Sequence, residues 1–193
     1  MALLLAVSAT GCAGTSQSPS SSSPRPASRY PVTEADAGFM TAMISHHRQA
    51  LIMAGWAPTH GAGPAIRRLA ERITSGQQDE IATMQRWLHD QGRPLPTGQH
   101  AEHGHLMPGM LTQAQMQQLE QARGPEFDRL FLTFMIQHHR GAVTMVKQLF
   151  ATPGAAQEQT VFKFANDVSV DQTTEIARME RMLAALPDGE PAS

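Results

Sequence analysis

Phe39-Met40-Thr41-Ala42-Met43-Ile44-Ser45-His46-His47-Arg48-Gln49-Ala50-Leu51-Ile52-Met53 is written a second time, 92 residues on, as Phe131-Leu132-Thr133-Phe134-Met135-Ile136-Gln137-His138-His139-Arg140-Gly141-Ala142-Val143-Thr144-Met145. Nine of the 15 positions are identical, among them both histidines, the arginine after them, and a methionine on either side. Packing alone would keep such a stretch apolar, but it would not write a double histidine twice. The repeat therefore reads as a paired metal-binding helix.

Both copies follow helical periodicity. Met40, Met43, Ile44, His47, Leu51 and Ala54 share one stripe, and Phe39, His46, Ala50 and Met53 form the stripe beside it. Successive residues on a helix differ by about 100°, so His46 and His47 cannot point the same way. One is expected to face the bundle centre and the other a neighbouring helix or the rim. Thr33 before Glu34 supplies an N-cap with acid in the first turn, and the Gly/Pro cluster from Gly55 to Pro64 ends the helix.

A second repeat extends the first. Gln77-Gln78-Asp79-Glu80-Ile81-Ala82-Thr83-Met84-Gln85-Arg86-Trp87-Leu88 matches Gln172-Thr173-Thr174-Glu175-Ile176-Ala177-Arg178-Met179-Glu180-Arg181-Met182-Leu183 at 7 of 12 positions, with an offset of 95. The repeating unit is thus a helical hairpin, and two hairpins make an all-α four-helix bundle. The expected helices run over about 34–57, 64–89, 125–150 and 156–186, giving one domain over 32–186 with hairpins at 34–89 and 125–186. The crossover at 90–124 is rich in Gly, Pro, Gln and His; it holds His100, His103, His105, Met107 and Met110 and a short helix over about 112–122. So long a connector is either disordered or functional, and this one resembles a flexible metal-collecting loop more than a plain crossover. Residues 187–193 are expected to fray.

Residues 1–12 form a short apolar run that resembles the h-region of an export signal. Its ending, Ala9-Thr10-Gly11-Cys12, resembles a bacterial lipobox, so Cys12 is expected to carry a lipid anchor in the cell envelope, with a periplasmic or secreted protein as the alternative. Residues 13–31 are Ser/Pro-rich and too polar to fold, as befits a tether. One cysteine permits no internal disulfide, so the core alone must hold the fold. The formal charge of −2 gives no reason to expect a nucleic acid partner. The membrane is expected to be a partner only through the lipid.

Twelve methionines and nine histidines bring thioether and imidazole, ligands that suit Cu(I) and Cu(II) respectively. Met43 with His47, and Met135 with His139, stand four residues apart on one helix face. Asp36 and Met40 continue the first stripe towards the N-terminus, with Asp128 and Leu132 at the matching places. Met53 and Met145 flank the histidines on the far side. Glu80 and Glu175 recur on inner faces and need partners if buried. Metal ligation, a bond to a histidine N–H, and an ion pair with Arg48 or Arg140 are all open to them.

The motifs Phe39-Met-x-x-Met-Ile-x-His-His, Gln77-x-x-Glu-Ile-x-x-Met, Met107-Pro-Gly-Met110-Leu-Thr, Glu126-Phe-Asp-x-Leu-Phe-Leu and Met135-Ile-x-His-His-x-Gly-Ala resemble those of the CopM-like family. The resemblance spans about 32–186. It implies a ferritin-like four-helix bundle and a copper-binding protein of the cell envelope. The implied ligands are His46, His47, His138, His139, Met43 and Met135, with Met107 and Met110 from the crossover.

Sequestration, resistance or delivery of copper is the leading expectation, with metal ions and another envelope copper protein as partners; another transition metal remains open. A ferritin-like di-metal oxidase is the enzymatic alternative, but neither Glu80 nor Glu175 has the histidine three residues on that di-iron bundles use. A tethered interaction module whose histidines only hydrogen-bond is the third.

Overall fold

A computed structural model of the chain describes residues 30–96 and 107–187. Among them are five helices and no strand: α1 (Glu34–Trp56), α2 (Pro64–Asp90), the short α3 (Gln113–Gln121), α4 (Gly124–Ala151) and α5 (Gln159–Ala184). Residues 1–29, on which the expected export signal, the Cys12 anchor and most of the expected tether fall, lie outside the described residues, as do the tail beyond 187 and His100, His103 and His105.

The helix starts have local causes. Thr33 and Asp36 close a capping box, each side chain taking the other's backbone N–H. Pro64 occupies the first turn of α2, where its missing N–H costs nothing. Thr112 and Gln115 cap α3 as Thr33 and Asp36 cap α1. Helix α5 begins at Gln159 rather than at the expected 156. Ala156 takes a left-handed φ of 53° and gives its N–H to Asp36 Oδ1 at 2.7 Å, while Glu158 caps the helix.

The two hairpins pack as an antiparallel pair through α1 and α4. Asp36, at the start of α1, holds the loop after α4; Asp128, near the start of α4, accepts the Gly63 N–H in the loop after α1, both oxygens at 3.1 Å. Each hairpin thus clamps the other's turn. Gly124 N–H to His60 O at 2.8 Å ties the same end.

The core is split in two. One apolar cluster includes Met40, Met43 and Ile44 from α1, Ile81 and Met84 from α2, Ala142 and Met145 from α4, and Phe164 and Val168 from α5. The other includes Ala50 and Met53 from α1, Leu69 and Ile73 from α2, Phe131 and Met135 from α4, and Met179 from α5. In each long helix the break falls at polar residues: His46 and His47, Gln77 and Glu80, His138 and His139, Gln172 and Glu175. A polar layer of eight side chains crosses the bundle at mid-height.

Candidate metal centre

All four histidines of the layer have no solvent exposure. As the 100° rule requires, each pair diverges, the two rings lying 6.4 Å apart in the first copy and 6.2 Å in the second. His47 and His139 turn to the partner helix of their own hairpin. His47 Nε2–H donates to Glu80 Oε2 at 2.7 Å, and His139 Nε2–H to Glu175 Oε2 at 2.7 Å. Of the three roles open to these glutamates, the hydrogen bond to imidazole is the one present. Arg140 pairs with Glu180 instead, and Arg48 donates to the Pro96 carbonyl. His46 and His138 turn inward and lie against each other, ring centroids 3.8 Å apart and planes tilted by 36°.

The inward pair is also bonded. His138 Nε2–H donates to the His46 carbonyl, and His46 Nε2–H to the Pro108 carbonyl, both at 3.0 Å. A carbonyl only accepts, so the proton sits on Nε2 in each ring, and a carboxylate imposes the same tautomer on the outer two. Four Nδ1 lone pairs are left, and none of the four has a hydrogen-bond partner. Burial pushes His46 down to about 3, helped by the neighbouring His47 and then His139 and opposed by the Pro108 carbonyl. Burial likewise lowers His138 well below the ordinary value, with His46 the next cause. Both rings are held neutral, the form that ligates metal.

A strap, residues 107–111, breaks the twofold symmetry and explains part of the repeat's imperfection. Gly141 stands where the first copy has Gln49, and Gln137 where it has Ser45. A Cβ on Gly141 would lie 1.9 Å from Pro108 O and 2.6 Å from Gly109 Cα, so only glycine lets the strap reach His46. Gln49 grips the other end through Leu111 N–H at 2.8 Å and Leu111 O at 3.1 Å. This part of the crossover is pinned to the bundle, with Leu111 buried and Met107 and Met110 half-buried. Alanine in an open helix normally gains about 1 kcal/mol over glycine. Gly141→Ala should instead lower stability by about 1–3 kcal/mol, as overpacking does. Gly76→Ala, where a Cβ meets nothing within 4 Å, should leave it level or raise it. Parallel thermal melts check both.

The other candidates are placed as follows. Met43 and Met135 are fully buried one turn before the histidines. Met40 and Met53 are fully buried as well, and Met145 nearly so, within the two apolar clusters. Asp128 accepts the Gly63 N–H of one hairpin loop, and Asp36 accepts the Ala156 N–H of the other with one oxygen and the Thr33 N–H of its own cap with the second. Among the described residues no three His, Cys, Asp or Glu side chains are grouped as a ready-made cage. Two residues went unmarked as site candidates in the sequence: Gln77 and Gln172, 3% and 2% exposed. Their equivalence within the 95-residue repeat was the available signal.

A family model described as a domain of unknown function, DUF305, matches residues 36–183. A DUF305 fragment from Deinococcus radiodurans is 32% identical, covering 81% of this chain and 99% of its own, with a TM-score of 0.70. A DUF305 protein of Streptomyces coelicolor, described as a candidate secreted protein, is 30% identical over 82% of this chain and 98% of its own, with a TM-score of 0.70. CopM in its Cu(II)-bound form is 30% identical over 77% of this chain and 95% of its own, with a TM-score of 0.63; CopM is also known in Cu(I)-bound, Ag-bound and apo forms. No curated protein matches the chain.

Proposed function

The chain belongs to the DUF305 family, and from that premise we propose that it is an exported metal-binding protein that holds copper at the histidine layer for sequestration or delivery. One observation carries the reading. Among the described residues, the buried side-chain nitrogen and oxygen atoms without a hydrogen-bond partner number seven, and they belong to His46, His47, Gln77, His138, His139 and Gln172. These are three pairs related by the two repeats. Each such atom costs about 1–3 kcal/mol when left unpaired in a core, and a bundle selected only for stability would fill the layer with apolar side chains.

The donor chemistry favours copper. Each imidazole is fixed through its Nε2–H, and a carbonyl or carboxylate behind a ligand ring orients it and raises its basicity. Imidazoles from both histidine pairs, with the thioethers of Met43 and Met135 one turn before them, would supply a donor set that suits Cu(I). The CopM structures with bound copper and silver support the same reading. Export rests on residues 1–12 and on the Streptomyces relative; among the described residues no helix is long and apolar enough to cross a membrane.

Titrating the purified protein with Cu(I) under anaerobic conditions, and with Cu(II), Zn(II) and Fe(II) alongside, tests the proposal. Copper bound tightly and in preference to zinc and iron is the expected result. Two irons bound with oxygen consumption would replace it with the oxidase, and no tight metal would leave a bundle whose histidines serve the fold.

A further inference from the structure

We propose that Gln77 and Gln172 belong to the metal site as its oxygen donors, serving the divalent form of the ion that imidazole and thioether serve less completely. The inference rests on the metal-binding reading above and adds to its residues, its ligand atoms and its redox range.

Both amides lie in the layer that divides the core. Gln77 stands three residues before Glu80 and Gln172 three before Glu175, one helical turn or about 4.5 Å of rise. Those glutamates hold His47 and His139, so each glutamine sits one turn from the carboxylate behind an outer imidazole. On either side along α2 are Ile73 and Ile81, both buried; the amide is thus a polar group set into an apolar face.

The amides are also idle. Neither Gln77 Oε1 nor Gln77 Nε2 has a hydrogen-bond partner, and Gln172 Oε1 has none. A buried glutamine kept for structure uses its amide to bridge backbone or side-chain groups, because an unpaired amide in a core destabilises. Gln49 shows that use in this same chain, gripping both backbone groups of Leu111. Gln77 and Gln172 do nothing of the kind, yet they recur at equivalent positions, and the other unpartnered buried side-chain nitrogens and oxygens of the described residues are the four histidine Nδ1 atoms.

Their chemistry complements those nitrogens. Amide oxygen is a hard donor that suits a divalent cation, directly or through a coordinated water, whereas a monovalent soft ion is satisfied by imidazole and thioether. Removing the amides should therefore cost the divalent ion selectively.

The test is the double substitution Gln77→Leu with Gln172→Leu in the full chain, read by metal affinity and thermal stability. Cu(II) affinity should fall at least about tenfold, the scale of losses around a metal site, while Ag(I) affinity, the probe for the soft monovalent state, stays within about threefold. The metal-free protein should melt no lower than the parent, since two unpaired amides are gone. Should leucine prevent folding, Gln77→Asn with Gln172→Asn withdraws each amide by one methylene and should give the same selective loss. Unchanged Cu(II) affinity, an equal fall for both ions, or a lower melting temperature without selective loss would overturn the inference while leaving the histidine site standing. A parent protein that binds neither ion would overturn the metal reading itself.

Discussion

Replacing His47 and His139 together by alanine should remove the tightest copper binding, lowering affinity by at least about 100-fold, while helical content stays near that of the parent. Two of the four Nδ1 lone pairs vanish, along with the hydrogen bonds that tie Glu80 and Glu175 to the histidine layer. The fold should survive because these glutamates are not sealed in. Their side chains are 20% and 17% exposed, so water can take the place of the lost imidazole. The expected cost is about 1–2 kcal/mol per site in hydrogen bonding, small enough for the two apolar clusters and the cross-hairpin aspartate clamps to absorb. Copper titration and circular dichroism on the same sample check both halves. Tight binding that survives the double change would remove the outer histidines from the site and turn attention to the strap methionines.

Acid should unfold the metal-free protein well before its carboxylates are fully protonated. In the unfolded chain His46 takes a proton near its ordinary 6.5, but in the fold it is pushed down to about 3. Between those values the unfolded state binds a proton that the native state refuses, so stability falls as pH falls. The stability is fully present above about 6.5 and drains away towards 3. At about 1.4 kcal/mol per unit, His46 alone accounts for a loss on the order of 5 kcal/mol, and His138 shifts in the same direction. Domains of this size are stable by only about 5–15 kcal/mol. Denaturant unfolding at pH 7.5, 6, 5 and 4 should show a steadily dropping midpoint, whereas a flat profile down to pH 4 would mean that the two rings are not held neutral. Asparagine at both positions should flatten the curve.

The repeat of the double histidine made the bundle, its pairing and its buried histidine layer legible in the sequence. The divergence of His46 from His47 followed from helix geometry, whereas a histidine bond was only one of three roles open to Glu80, and the fold selects it. What the sequence could not disclose arises where the repeat is broken. Gly141 in place of Gln49 looks like a helix defect until Pro108 is seen lying against it. Ala156 looks helical until Asp36 claims its N–H across the other hairpin. Asp36 and Asp128 looked like extensions of a ligand stripe, yet each accepts a loop N–H from distant sequence, and the second oxygen of Asp36 closes its own helix cap. Gln77 and Gln172 passed as inner-face residues because polarity at a helical position does not reveal whether a partner awaits it.

Long-range 1H–15N NMR of the histidine rings, recorded before and after one equivalent of diamagnetic Ag(I), reaches the central claim most directly. The metal-free protein should show four buried rings in the Nε2–H tautomer, and silver should move Nδ1 signals of those rings while their Nε2–H bonds persist. Silver that binds while all four Nδ1 signals stay in place, with shifts confined to other histidines, would contradict it.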